Sequence, residues 1–240
     1  MAIYSSIWQT LLGSLPNRCL LCQQHVTHGR ALCSVCLADA KPEGLCLRCT
    51  KPLPPYSQVT RCGACLSKRH WRPLHVAFPY NNDVGKLVAQ MKMKQQWSLL
   101  EPLCNALIER LDTTTLPSAL VPIPMHRQRL RQQGCNHALL IADELGRQLN
   151  IPVKPELITK SKPSLSQHQL GGTQRRSNLK HSFSCPKHLP QTNIALVDDI
   201  ITTGTTLAVA ATALQQHSHQ VSQYWALASA MHRKERLCRS

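Results

Sequence analysis

Aromatic side chains, acidic side chains and long apolar runs are all scarce in this chain of 240 residues. Its unbroken apolar runs reach about five residues, as at 138–142, against the roughly 20 that a membrane-spanning helix needs. No membrane span is expected. Only 2 Phe, 4 Trp and 4 Tyr are present. That is too few for an extended base-stacking platform, so a bound nucleic acid would be held mainly through its backbone. Asp and Glu number 12 against 28 Lys and Arg, a net charge of +16 with every His neutral. The excess points to a polyanionic ligand, meaning nucleic acid, a phosphorylated small molecule or an anionic surface. No export signal is expected either. Ile3, Ile7, Leu11 and Leu12 recur at helical spacing, but Ser5, Ser6, Gln9 and Thr10 break any apolar core of a leader. Residues 1–19 are expected to form a short amphipathic helix packed on the body or on a partner. The expected location is then the cytoplasm, where thiols stay reduced and disulfides are rare.

What the chain does have is enough length and apolar content to fold. The length allows one core-forming domain with a smaller appendage, or two modest domains, and 42% apolar residues are compatible with a folded chain rather than global disorder. It also has 12 cysteines, eight of them in four Cys-x-x-Cys pairs within the first 65 residues. The pairs are Cys19/Cys22, Cys33/Cys36, Cys46/Cys49 and Cys62/Cys65, separated by 10, 9 and 12 residues. Two thiolates three apart on a tight turn can share one tetrahedral metal, and a second pair closes an all-cysteine shell. Four pairs can build two sites in sequential, interleaved or nested order. Sequential pairing closes the shortest loops and is favoured on entropy. Structural zinc, two ions per chain, is preferred over an iron–sulfur centre or redox use, and a full shell leaves no open position for catalysis. Residues 1–75 carry nine basic side chains against Asp39 and Glu43. Such a basic module either contacts nucleic acid or presents a solvated face. Cys104, Cys135, Cys185 and Cys238 are scattered and read as ordinary buried or incidental thiols.

From residue 76 onward the pattern changes. Helical spacing over 83–93 and 99–111, a short strand at 120–123 stopped by Pro124, and a helix from an Asn136 cap through 149 follow one another. A buried strand at 194–197, a helix over 205–216 and a strand at 221–228 complete the series. Strand–helix–strand order at this spacing predicts an open α/β sheet with mostly parallel strands over residues 76–240.

Residues 194–207 read Ile-Ala-Leu-Val-Asp-Asp-Ile-Ile-Thr-Thr-Gly-Thr-Thr-Leu. An apolar strand ends in two carboxylates, and a Thr/Gly loop then enters a helix. Ligands of open α/β sheets sit outside the carboxyl ends of the strands. Backbone N–H groups of Thr202, Thr203, Gly204, Thr205 and Thr206 can converge on a phosphate, aided by hydroxyls and the helix N-terminus. Asp198 and Asp199 repel phosphate but suit vicinal ribose hydroxyls or a magnesium shell. Together these describe a ribose 5-phosphate site; the alternative is an Asp-Asp turn followed by helix-capping threonines.

That stretch resembles the phosphoribosyl pyrophosphate (PRPP) loop of type I phosphoribosyltransferases. Val121-Pro-Ile-Pro, the basic residues Arg127, Arg129 and Arg131, and Gly134-Cys-Asn resemble one signature of the ComF family. Gln167-x-x-Leu170 with Arg175, Asn178 and Phe183 resembles its second. Cys135 stands where that family has Phe, and Gln133 where it has Arg. The resemblance implies a phosphoribosyltransferase-type α/β domain behind a zinc module, in proteins of competence and DNA utilisation. It further implies PRPP with Mg²⁺ as ligand, single-stranded DNA and DNA-uptake or helicase machinery as partners, and Asp198 and Asp199 as the acidic pair of the site. Arg127, Arg129, Arg131, Arg175 and Arg176 are then candidates for pyrophosphate or nucleic-acid contact. Two classes stay open: a DNA-handling module that binds PRPP or a ribose phosphate, and an active Mg²⁺-dependent phosphoribosyltransferase with an unidentified acceptor.

Overall fold

The computed structural model describes residues 18–26, 31–68, 71–160, 182–186 and 192–231. The expected N-terminal helix, most of the second signature with Arg175 and Arg176, and Cys238 lie outside the described residues. In chain order the elements are α1 (Ser34–Ala40), α2 (Gly63–Leu66), β1 (Leu74–Pro79), α3 (Asp83–Lys94), α4 (Leu100–Ile108) and β2 (Ala119–Pro122). There follow α5 (Arg127–Gln133), α6 (His137–Leu149), β3 (Thr159–Lys160), β4 (Phe183–Ser184), β5 (Asn193–Ile201), α7 (Thr205–Gln215) and β6 (Gln220–Ser229).

The main sheet runs β1-β6-β5-β2 with every neighbouring pair parallel, while β3 and β4 form a separate antiparallel ribbon. After α6 the chain lines the free edge of β2: the Leu120 N–H donates to the Pro152 carbonyl (2.9 Å) and the Lys154 N–H to the Leu120 carbonyl (2.8 Å). Helices cover both faces, which is why the β5 run Ile194, Ala195, Leu196, Val197 is apolar without alternation. Ala195 and Val197 face Met91 of α3, Leu103 and Leu107 of α4 and Ile141 of α6. Ile194 and Leu196 face Leu207, Ala210 and Leu214 of α7.

Helix starts follow their caps. The Asn82 side chain accepts from the Gly85 N–H (2.6 Å), and Asn136 accepts from Ala138 (3.2 Å). Two expectations shift. The 99–111 segment is helical only over Leu100–Ile108, with a 3₁₀ turn at Trp97–Leu99 before it. The strand through 194–197 continues past both aspartates to Ile201, because β6 runs alongside and pairs Asp198 with Ala226 and Ile200 with Ala228.

The cysteine module is built twice on one plan. Arg18 bridges His25, and Leu45 bridges Pro52, each as a one-rung antiparallel hairpin. Gln23 and Thr50, directly after the first Cys pair in each half, both take left-handed backbone, at φ 61° and 57°. Their N–H groups donate to Cys19 and Cys46 carbonyls (3.0 and 2.8 Å). The second pair of each half opens a short helix, with Cys33 and Cys62 at the cap positions of α1 and α2.

This module shares the body's core rather than standing apart. Cys19, Ala31 and Leu32 join the layer under α3 and α4, and Leu45 joins the layer under α7. Thr50 and Ser229 hydroxyls meet at 2.7 Å, and the Leu74 N–H donates to the Leu47 carbonyl (2.6 Å). Leu74 and His75 already pair with Tyr224 and Trp225, so β1 starts just before the 75/76 division expected from composition.

Candidate functional site

The sulfurs of Cys19, Cys22, Cys33 and Cys36 lie within 4.8 Å of one another, and so do those of Cys46, Cys49, Cys62 and Cys65. Pairing is therefore sequential. A tetrahedron of Zn–S bonds of ~2.3 Å has edges of about 3.8 Å. The Cys22–Cys33 and Cys49–Cys62 sulfurs are each 3.6 Å apart. Within each cluster the thiols differ in acidity. Burial opposes ionisation of Cys19 and Cys46, yet backbone N–H groups outweigh it and draw them down to about 6 and about 7. Those donors are Cys22, Cys33 and Leu21 for the first, and Cys62, Arg48 and Cys49 for the second. Cys36 is pushed up mainly by the neighbouring Cys33 sulfur, and Cys49 by burial. Four thiolates this close repel one another unless a cation sits among them, and a divalent tetrahedral ion fits the donor set. These are two structural zinc sites with no open coordination position.

The second site lies at the carboxyl end of the main sheet. Asp198 and Asp199 leave β5 half-buried, and the turn Thr202, Thr203, Gly204 carries the chain into α7. Gly204 has φ +71°, where a side chain is strained, and its position starts the helix. The Thr203 and Thr205 hydroxyls meet at 3.0 Å and are exposed at this mouth. The first N–H groups of α7 have no carbonyl of a preceding turn to bond, as at any helix start. They stand beside the hydroxyls as anion donors.

The two aspartates are not equivalent. Asp199 Oδ2 meets Lys92 Nζ of α3 at 2.7 Å, the two side chains being 14% and 26% exposed. Its Oδ1 accepts from the Ile200 N–H (2.6 Å). Burial works against its charge, but Lys92 and that N–H outweigh burial and hold its carboxyl below the usual range. Asp198 is pushed up to about 8, by burial first and by the Asp199 charge second. The two carboxyls are therefore unequal, Asp199 favouring the charged form and Asp198 the neutral one, a division that suits one side chain to accept while the other donates.

Three further groups surround the pair, and none was singled out by sequence reasoning. Lys92 lies four residues after Val88, on the buried stripe Val84, Leu87, Val88, Met91. A lysine on the apolar face of a helix is the signal that could have found it. His137, the first residue of α6, is buried, packs its ring against Trp97 (5.7 Å between centroids, tilted by 33°) and leaves Nδ1 without a partner among the described residues. Burial, then the Lys92 charge, holds it neutral by lowering its pKa. Lys160 of β3 is lowered by burial and by Arg129, with Asp198 pulling the other way.

Of the expected arginines, Arg127, Arg129 and Arg131 are exposed on the helix α5. Helical geometry sends Arg127 and Arg131 to one side and Arg129 to the other. Arg129 is the one whose charge bears on His137 and Lys160, lowering both.

Residues 11–66 match the family model described as a double zinc ribbon domain. Competence protein F of Haemophilus influenzae is 30% identical over 224 residues, covering 89% of this chain and 97% of that protein. DNA utilization protein YhgH of Escherichia coli is 28% identical over 223 residues, covering 89% of this chain and 97% of that protein. Among solved structures, an adenine phosphoribosyltransferase aligns over 58% of this chain and 74% of its own, with 21% identity and a TM-score of 0.39. Orotate phosphoribosyltransferase from Aeropyrum pernix aligns over 60% and 67%, with 17% identity and a TM-score of 0.35.

Proposed function

The chain belongs to the family of competence protein F and the DNA utilization proteins, and from that premise we propose that it acts in DNA uptake or utilisation, holding a ribose phosphate or PRPP in the β5–α7 basin while its basic surface engages single-stranded DNA. One observation carries the ligand assignment. A split acidic pair and a Thr/Gly helix start follow one another at the carboxyl end of a parallel sheet, with Lys92, Arg129 and Lys160 around them. The helix start suits the 5-phosphate, the pair suits the ribose hydroxyls, and the cations suit a pyrophosphate.

Asp199 is already neutralised by Lys92. Asp198 makes no ion pair among the described residues. Mg²⁺ would offset the burial and the Asp199 charge that oppose ionisation of Asp198, so Asp198, once its proton is displaced, and the ligand's own oxygens would hold that ion. Bound there, Mg²⁺ would neutralise charge developing on pyrophosphate.

The same split pair favours a second reading, transfer of the phosphoribosyl group to an acceptor, since unequal carboxyls are suited to moving a proton. Calorimetry separates the two. Ribose 5-phosphate and PRPP, with and without Mg²⁺, are titrated into zinc-loaded protein, followed by oligo(dT) of single strands. Binding of both ligand classes without PRPP turnover supports the DNA-handling reading. PRPP consumption with negligible oligo(dT) binding at physiological salt supports the enzyme. Binding of neither overturns both.

A further inference from the structure

The two ribbons share a backbone plan but not a surface. Between residues 44 and 82 there are six Lys or Arg (48, 51, 61, 68, 69 and 72) and no Asp or Glu. The first ribbon, by contrast, is followed by Asp39 and Glu43. Four thiolates around a divalent ion carry a net charge of −2, which must be set against those cations. Arg48 is spent on it, with Nη1 3.8 Å from Cys65 Sγ. Arg72 is turned to the body, donating to the Val221 carbonyl (2.7 Å). Lys51 and Lys68 are exposed and make no ion pair among the described residues.

The same ribbon displays apolar surface. Three of the six exposed large apolar side chains among the described residues are here: Tyr56 (98% exposed), Val59 and Leu66. Val59 and Leu66 line an open cleft of about 620 Å³ together with Lys51, Pro52, Pro54 and Arg61. Tyr56 sits on the turn closed by the Ser57 N–H to the Pro54 carbonyl (3.2 Å), with φ +58°, so its ring is held out of the protein. Arg61 lies 4.7 Å over the Trp71 ring, with Nη1 donating to the Cys65 and Lys68 carbonyls (3.4 and 3.5 Å).

We propose that this face of the second ribbon is a binding site for a single-stranded polynucleotide. Lys51, Arg61 and Lys68 take its phosphates, and Tyr56 with the apolar floor at Val59 and Leu66 takes unstacked bases. The charge selects a polyanion, and the apolar floor selects one whose flat faces are free, which a duplex does not offer. With a single fully exposed aromatic ring, backbone contact carries most of the affinity and stacking adds one step. The inference rests on the reading that the protein engages single-stranded DNA, and it locates that contact away from the arginines of α5.

The test is fluorescence anisotropy of full-length, zinc-loaded protein with labelled oligo(dT), oligo(rU) and duplex DNA across a salt series. Tyr56→Ala is expected to weaken oligo(dT) roughly tenfold, the loss of one base–aromatic stack. Lys51→Ala is expected to reduce the log–log salt slope by about 0.7, one phosphate on a single strand. Both side chains are exposed, and zinc content with thermal midpoint confirms that each variant is folded. Tighter binding of oligo(dT) or oligo(rU) than of duplex supports the site, and the stronger of the two names its natural strand. If wild-type protein binds oligo(dT) and the Tyr56→Ala/Lys51→Ala double variant binds it equally well, the ribbon site is overturned while the DNA-handling reading stands. If wild-type protein binds no oligonucleotide at physiological salt, that reading falls and the site with it. Displacement by a poly-glutamate peptide as efficient as by unlabelled oligo(dT) also overturns the site, in favour of an acidic protein partner.

Discussion

The zinc module and the β5–α7 basin both gather charged ligating groups, and they balance that charge in opposite ways. Each cysteine cluster presents four like donors that face one another and are complete only around a cation, so metal and fold are one equilibrium. The basin brings its own cation: Lys92 reaches across from α3 to Asp199, while burial and then the Asp199 charge oppose ionisation of Asp198. The ribbons are thus closed and structural, whereas the basin is open, its Thr203 and Thr205 hydroxyls exposed and bonded only to one another and to the Thr205 N–H. A centre that holds architecture needs every donor spent. A centre that binds and releases needs donors in reserve.

Breaking the ribbons should cost the most. Cys46→Ser is expected to lower the zinc content from two ions to one and leave the Cys19, Cys22, Cys33, Cys36 site filled, because the clusters are separate. Leu45 belongs to the layer under α7, so loss of the second ribbon should also reach the body. A loss of several kcal/mol follows from the coupling of metal binding to folding. Metal analysis with a thermal melt checks it, and an unchanged midpoint at halved zinc would show that the ribbon is an ornament on the fold.

Removing the basin's internal cation should cost less. Lys92→Met leaves the Asp199 carboxylate, mostly buried, facing Asp198 without its partner. Stability is expected to fall by about 1–3 kcal/mol at pH 7, the penalty of an unpaired buried group. The loss should shrink at acid pH, where Asp199 can be neutralised by protonation instead. Equal losses at pH 5 and pH 8 would mean that the ion pair is incidental.

Asp198→Asn should act in the other direction. The folded carboxyl is raised from 3.8 to about 8. Wild-type protein therefore keeps this group's full stabilisation below pH 4 and loses it as pH rises toward 8. The amide does not ionise, so the variant should match wild type in acid and exceed it at pH 8. Urea unfolding at both pH values, without ligand, reads the difference. Ribose phosphate affinity should fall in the same variant, which separates a binding group from a merely strained one.

Legibility from the sequence divides along the same line. The cysteine ligands sit in pairs three apart, and sequential pairing keeps each site within a short loop, so spacing alone exposes them. The Asp-Asp and Thr/Gly stretch is legible for the same reason, being one continuous segment from the end of a strand into a helix. Lys92, His137 and Lys160 are not, because they come from α3, α6 and β3 and meet only through the strand order β1-β6-β5-β2. The extension of β5 through both aspartates was hidden too, since it depends on β6 lying alongside. Arg127, Arg129 and Arg131 show the limit from the other side. Their charge is plain in the sequence, but which one faces the basin depends on the helix that carries them.

That last distinction gives the smallest and sharpest test. All three arginines are exposed on α5, so any single alanine replacement should change stability by no more than about 0.5 kcal/mol. Their consequences for binding should differ. Arg129 is the residue whose charge bears on His137 and Lys160, so Arg129→Ala should raise the Lys160 pKa slightly and weaken PRPP by roughly tenfold, the loss of one charge-assisted contact. Arg127→Ala, on the other side of the helix, should leave PRPP binding unchanged. Calorimetry on the two variants under one buffer reads the ratio directly. Equal weakening by both would mean that the arginines act only as a diffuse field, and a steep dependence of that weakening on salt would confirm it.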